Sequence, residues 1–310
     1  MIPIAIAGPT ASGKSALALG LCRALDGEIV SLDSMQIYRT LDIGTAKPTP
    51  AERAGVPHHL IDICEPTDKF SAADFTAAAN DAVSDILSRG KTPVLCGGTG
   101  LYLDSFLRRR DYGDVAVDEN LRRELFAFAE QNGNAALHGM LKALDPNAAE
   151  AIHENNVKRV VRAIEICKTT GMTKTEWDKA ADSAPRDDVF LIVLDFDDRE
   201  KLYSKIERRV DKMIEDGLVD EARSALETGA LNAGTTASQA IGYKELIQYL
   251  RGECSLNDAV EQLKTATRHY AKRQLTWFRR YGGCRLYVDR CESSGELLSA
   301  ALDAIKEGGK

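Results

Sequence analysis

Apolar positions follow two rhythms along the 310-residue chain. Short unbroken apolar runs between glycines mark buried strands, and apolar residues recurring three and four apart mark helices packed by one face. Ile2 to Ala7 reads as a buried strand entering a glycine loop, Ser15 to Leu25 as the helix that follows, and Glu28 to Leu32 as a second strand. Residues 42–62, DIGTAKPTPAERAGVPHHLID, are too punctuated for regular structure and too long for a simple turn, which predicts a functional loop system. Helical spacing returns over 71–89, behind a Ser71 cap with Asp74 three residues on.

Thr92 to Cys96 is a further buried strand, ending in GGTGLY at 97–102. From about Val115 to Asp182 the strands stop, and three polar segments with helical spacing succeed one another. VFLIVLDF at 189–196 restores a core strand. After it, 199–226 and 256–281 read as helices, the first interrupted at Gly217. The alternation predicts an α/β fold: a parallel sheet core with helices on both faces and an α-helical insertion domain. The expected divisions are a first core segment at 1–114, the insertion at 115–182, and completion of the core with C-terminal helices at 183–310. Loops at the carboxyl ends of the strands are the expected home of the site. No internal repeat or low-complexity tract breaks this pattern.

Composition narrows the classes. A net charge of -7 and a pI near 5.4 give the whole molecule no electrostatic attraction to nucleic acid or an acidic membrane, so such binding requires a local patch. The seven cysteines are scattered, with no C-x-x-C pair and no Cys/His cluster at zinc spacing, which predicts a reducing compartment and no structural metal. The N-terminus lacks a basic region followed by a cleavable apolar segment, and no apolar stretch is long enough to span a bilayer. A cytoplasmic protein without a membrane partner is expected, with a monomer as the default.

GPTASGKS at 8–15 lies between the first strand and the first helix, the context a phosphate loop requires. Gly8 and Gly13 bracket the turn, Lys14 places a point charge between phosphates, and the Ser15 hydroxyl is a ligand for Mg²⁺. A hydrolase of this type usually adds an apolar strand ending in Asp to hold the metal and orient water. Here TPVLC runs into Gly97-Gly98 instead. An acid follows the second strand, at Asp33, where it would face the loop across the sheet and either bind an acceptor hydroxyl or take a proton. A turn or helix-cap role is the simpler reading of the same residue.

Between Leu263 and Val288 stand Lys264, Arg268, Lys272, Arg273, Arg279, Arg280 and Arg285, with no Asp or Glu. Tyr270, Trp277, Phe278 and Tyr281 interleave with them at helical spacing. Cations with aromatics suit phosphate contact and stacking on unpaired bases; a packed aromatic stripe with a solvated basic face fits equally. VKRVVRAIE at 157–165 is a second basic run. On residue chemistry alone, a small-molecule kinase with Asp33 at its acceptor and a non-catalytic RNA-binding protein both stay open.

GPTASGKS, DSMQIYR at 33–39, IGTAKP at 43–48, GVPHHLID at 55–62, GGTGLY, KRVVRAIE, QAIGYKE at 239–245 and AKRQLTWFR at 271–279 together resemble the bacterial tRNA dimethylallyltransferase family, in order and spacing from Ile4 to about Tyr287. The resemblance implies transfer of a dimethylallyl group from dimethylallyl diphosphate to N6 of the adenine at position 37, just 3′ of the anticodon, in tRNAs reading codons that begin with U. Diphosphate would leave, so the loop would hold a leaving group. It further implies that Asp33 accepts the N6 proton and that Thr99 bonds near the reacting nitrogen or diphosphate. Gly8, Pro9, Thr10, Ala11, Ser12, Gly13, Lys14, Ser15 and Arg209 would bind diphosphate, with Mg²⁺ on Ser15; Arg208 stands beside Arg209.

The tRNA anticodon stem-loop would meet Asp33, Ser34, Met35, Gln36 and Thr99; Arg122, Lys158, Arg159, Val160, Val161 and Arg162; Gln239, Gly242, Tyr243 and Lys244; and Lys272, Arg273, Gln274, Trp277 and Arg279. Two departures stand out. Where the family often has H-x-N-D, this chain reads His153-Glu154-Asn155-Asn156, so an acid at a local cap or RNA contact is missing. The zinc-finger extension of eukaryotic relatives is also missing, in keeping with a compact bacterial type.

Overall fold

The strands form one six-stranded sheet in a computed structural model that describes residues 2–108, 118–181, 186–232 and 234–308. They are β1 (Ile4–Ala7), β2 (Gly27–Ser31), β3 (His58–His59), β4 (Thr92–Gly97), β5 (Phe190–Asp195) and β6 (Cys284–Tyr287). Their spatial order is β3-β2-β4-β1-β5-β6, and every neighbouring pair is parallel. β1 is buried at every position, because helices cover both faces of a parallel sheet and leave no side of the strand for solvent. The chain divides into two compact units, residues 1–107 with 186–310, and residues 108–185.

In the first unit, α1 (Lys14–Leu25) starts where Gly13 adopts φ 84°, a left-handed conformation that a side chain would strain. The long connection after β2 carries a one-turn helix, α2 (Pro50–Arg53), and β3, so it holds more regular structure than its glycines and prolines predict. α3 (Ala72–Ser88) opens with a full capping box between Ser71 and Asp74, as its sequence predicts. α4 (Gly100–Leu107) follows β4 directly.

The second unit is helical: α5 (Glu119–Asn132), α6 (Asn134–Leu144), α7 (Pro146–Ala151), α8 (Val157–Thr170) and α9 (Lys174–Ala181). Leu125, Leu137, Leu141, Val160, Val161 and Ile164 form its core. A fully buried carboxylate, Glu165, accepts from Arg122 Nη2 (2.9 Å), Arg162 Nη1 (2.7 Å) and the Asp118 amide (3.1 Å). A buried charge survives only when paired and bonded in this way. Asn156, where the family pattern has an acid, is the N-cap of α8 and makes no side-chain cap bond.

Back in the first unit, α10 (Arg199–Glu215) and α11 (Leu218–Glu227) are separated at Gly217, whose φ of 101° breaks the run. α12 (Tyr243–Leu250) and α13 (Leu256–Phe278) follow. Lys264 to Asp211 (2.7 Å) and Arg268 to Glu207 (2.5 Å) tie α13 to α10. β6 lies inside the basic stretch and has no local strand signal, because its pairing with β5 is a long-range choice. α14 (Ser294–Gly308) closes the chain over α1. Among the described residues no helix is long and apolar enough to cross a membrane.

Candidate active site

Strand register assembles the site. Ala7 pairs with Gly97 and Ser31 with Cys96, so the loops after β1, β2 and β4 emerge at one level of the carboxyl edge. Three glycines let them close up. A Cβ on Gly97 would lie 2.3 Å from the Leu32 carbonyl oxygen, one on Gly98 2.3 Å from Gln274 Nε2, and one on Gly100 2.3 Å from the Trp277 ring. The glycines of GGTG are therefore explained by close approach of β2 and α13.

These loops face a cavity of about 380 Å³. Thr10, Lys14 and Ser15 line one end, and Asp33, Ser34, Met35 and Gln36 a second wall. Gly44 to Ala46 form a third, with Gln239 to Gly242 beside them. From α10 come Ile206, Arg209, Val210 and Met213, spaced i, i+3, i+4 and i+7 on one helix face. From α13 come Leu263, Thr267, Tyr270, Arg273 and Gln274. The cavity is thus cationic at the phosphate loop, largely apolar along α10 and mixed along α13.

Within the loop Lys14 Nζ donates to the Pro9 carbonyl at 2.6 Å. Ala11 is held at φ 60°, a strained conformation for alanine, and the buried Ser12 hydroxyl has no partner among the described residues. Burial pulls the Lys14 ammonium down to about 8, with Arg209 pushing the same way and Cys96 and Asp33 opposing. Burial also lowers Arg209, against the pull of Asp33. Arg208, its neighbour, is exposed and donates to the Ser204 carbonyl, so the cavity-facing arginine is Arg209.

Asp33 serves two readings at once. Its Oδ1 caps a turn, accepting from the amides of Met35 (2.8 Å) and Gln36 (3.4 Å), and Oδ2 has no hydrogen bond among the described residues. Thr99 is placed behind this turn. Its hydroxyl accepts from the Ser34 amide at 3.1 Å and donates to Ser34 Oγ at 3.3 Å, and it does not line the cavity. Fastening the Asp33 turn is the role its geometry assigns, in place of direct contact with the reacting atoms.

The expected RNA contacts divide by burial. Lys158, Arg159, Gln239, Lys244, Lys272, Arg273 and Arg279 are exposed. Val160 and Val161 are corrections: both are buried in the second unit's core, on the face of α8 that the helix needs for packing. Arg122 and Arg162 are spent on Glu165. Tyr243 is fully buried, its hydroxyl donating to Glu221 at 2.6 Å. Gln274 is buried too, accepting from the Thr10 amide at 2.8 Å and donating to the Gly98 carbonyl at 2.9 Å. Trp277 is half-buried over Gly100, with Arg280 stacked 4.0 Å from its ring centre.

Of the seven cations on the basic stretch, Lys264, Arg268, Arg280 and Arg285 pair with acids of other elements. Lys272, Arg273 and Arg279 have no acidic partner among the described residues. One structural residue of the site, Glu221, carried no sequence signal. Glu221 accepts from the amides of the 42–44 loop, and the buried Lys47 donates to Tyr38 O, Asp42 and Asp62. Tyr270 lines the cavity from α13, and burial raises the pKa of its phenol. An isolated acid on an amphipathic helix looks solvated until its partner is in view.

A parallel sheet with a lysine-bearing loop at its carboxyl edge and a carboxylate across a partly open cavity defines a P-loop α/β protein. The chain belongs to the IPP transferase family, whose model matches residues 36–281. It is 50% identical over 276 residues to the tRNA dimethylallyltransferase of Shouchella clausii, covering 89% of this chain and 87% of the relative. It is 43% identical over 297 residues to the enzyme of that name from Caldanaerobacter subterraneus, covering 95% and 94%. Among solved structures it resembles the full-length tRNA isopentenylpyrophosphate transferase of Bacillus halodurans, with a TM-score of 0.71, 42% identity and coverage of 99% and 98%. It also resembles a eukaryotic dimethylallyltransferase acting on tRNA, with a TM-score of 0.83, 29% identity and coverage of 98% of this chain and 77% of that one.

Proposed function

We propose that the protein transfers a dimethylallyl group from dimethylallyl diphosphate to N6 of adenine 37 in tRNAs that read codons beginning with U, releasing diphosphate. The observation that carries this reading is the unshared oxygen of Asp33 in a cavity that also holds Lys14, Arg209 and an apolar wall.

The N6 amine attacks the allylic carbon and forms the C–N bond while the C–O bond breaks, its electron pair leaving with diphosphate. Exocyclic nitrogen is a poor nucleophile, so its proton must depart as attack proceeds, and Asp33 accepts it. Lys14, Arg209 and the loop amides stabilise the charge that develops on the leaving group. Ile206, Val210, Met213 and Leu263 give the hydrocarbon an apolar surface and keep water from the allylic carbon. The adenine reaches this depth only by leaving the stack of the anticodon loop.

Mg²⁺ fits the donors present. Among the described residues there is no cluster of three or more His, Cys, Asp or Glu for a metal ion, but magnesium is commonly held by one or two protein oxygens, substrate phosphates and water. The Ser15 hydroxyl at the cavity edge is such an oxygen. When bound, the ion would supply further neutralisation of the leaving diphosphate. On the first unit Lys272, Arg273 and Arg279 are the exposed cations offered to RNA phosphates. On the second unit, Lys158 and Arg159 are exposed cations of the same kind.

The test is an assay of purified protein with Mg²⁺, an anticodon stem-loop bearing unmodified adenine at the target position, and either dimethylallyl diphosphate or ATP, read by mass spectrometry. A gain of one C5H8 unit on that adenine from the allylic donor is expected. ATP consumption with no RNA product would overturn the reading in favour of phosphoryl transfer.

A further inference from the structure

The cavity wall formed by Gly44, Thr45 and Ala46 has no helix or strand of its own, yet three side chains hold its loop. Glu221 Oε2 accepts from the amides of Asp42 (2.9 Å) and Ile43 (2.8 Å), and Oε1 from the amide of Gly44 (3.0 Å) and the hydroxyl of Tyr243 (2.6 Å). Three successive amides thus form a concave anion site, and an internal carboxylate fills it. The Tyr243 ring closes the loop from the other side: a Cβ on Gly44 would lie 2.6 Å from its Cζ. Lys47 Nζ pins the loop's end to Tyr38 O, Asp42 and Asp62.

The loop in turn fixes a side chain in the site. Gln36 Nε2 donates to the carbonyls of Thr45 and Ala46, both at 3.2 Å, while Ser31 Oγ donates to its Oε1 at 3.1 Å. Those contacts decide which way the Gln36 amide faces. Gln36 lines the cavity three residues from Asp33.

We propose that Glu221 is a positioning residue for the target base: through the 42–46 loop it sets the cavity wall and the orientation of the Gln36 amide. Glu221 lies 179 residues from Asp42 in sequence, on α11, and does not line the cavity. This inference rests on the transferase reading for what the wall receives. The contact itself stands on geometry alone.

Glu221→Gln is the discriminating change. An amide has one acceptor oxygen, so either the Asp42 and Ile43 amides or the Gly44 amide would face an NH₂ group, donor against donor, while the Tyr243 hydroxyl can turn to accept. Two measurements on the full chain test it. Hydrogen exchange at the amides of 42–44 is expected to accelerate while that of β1 and α1 stays as in wild type. Steady-state kinetics with the stem-loop RNA are expected to show KM for RNA raised about tenfold or more, with affinity for the alkyl diphosphate unchanged.

Accelerated exchange with unaltered KM for RNA would overturn the positioning role, and unaltered exchange would overturn the contact. Tyr243→Phe, which keeps the ring against Gly44 and removes one donor, gives the same direction with a smaller shift if Glu221→Gln does not fold; unchanged KM and exchange in it would overturn the inference. If wild-type protein prenylates no RNA, the transferase reading falls and the base-positioning role with it, while the exchange data still report on the contact.

Discussion

Replacing Gln274 with leucine should cut the phosphate loop loose from α13. The side chain is buried, and its amide bridges the Thr10 N–H at 2.8 Å and the Gly98 carbonyl at 2.9 Å, joining two strand-end loops to one helix. Leucine is close in volume and creates no large cavity, so packing contributes little to the change. The cost is two hydrogen bonds and two stranded polar groups. The Gly98 carbonyl is buried against α13 and carries close to a full penalty of about 2 kcal/mol, whereas the Thr10 amide borders the open cavity and recovers part of its loss from water. The sum is about 2–3 kcal/mol.

Urea unfolding should show that loss as a lower midpoint with an unchanged slope. Titration with an alkyl diphosphate should show an affinity about tenfold weaker, because the phosphate loop is no longer fastened to α13. A variant within about 0.5 kcal/mol of wild type that binds diphosphate equally well would refute the reasoning. It would mean that the strained loop, with Ala11 at φ 60°, holds its shape without α13.

Three more outcomes follow from the same geometry. Asp33→Asn retains an oxygen for the Met35 and Gln36 amides and removes the base, so kcat should fall about 10²- to 10⁴-fold with the melting temperature unchanged; a kcat near wild type would exclude Asp33 as proton acceptor. Lys14 titrates near 8 in the folded chain, below its ordinary 10.5. The unfolded chain therefore binds the extra proton between those values, and this group's contribution to stability rises with pH across that window, its cost being full below about 8. An anionic diphosphate restores the proton, so calorimetry in two buffers should show proton uptake on binding at about pH 9 and little at about pH 6.5, and no uptake at the higher pH would refute the assignment. Replacing Lys272, Arg273 and Arg279 together by alanine should lower the salt slope of RNA binding by about two, at roughly 0.7 per phosphate contact; an unchanged slope would remove that face from the RNA site.

Much of this molecule was legible from local spacing. The strand, glycine loop and helix of residues 4–25 announce themselves because a buried parallel strand must be apolar throughout and a phosphate loop must turn on glycine at position 13. The capping box at Ser71 and Asp74, the strand at 92–97 and the break at Gly217 are equally local. Their physics is confined to a few neighbouring residues, so a linear reading reaches it.

Tertiary structure alone decided which faces were spent on the fold. Periodicity places Val160 and Val161 on α8 and Gln274 on α13 but cannot tell a packing face from a binding face, since both repeat every three to four residues. The basic stretch reads as seven equivalent cations; four are neutralised by acids that stand 53 to 176 residues away in sequence or on a neighbouring strand, leaving Lys272, Arg273 and Arg279. Glu221 stands in no motif because its role is defined by partners in another element, and Lys47, although part of IGTAKP, shows its pairing with Tyr38 O and Asp62 only in the fold. Side-chain chemistry is carried by the sequence, but burial, pairing and hydrogen-bond direction depend on which distant segments meet.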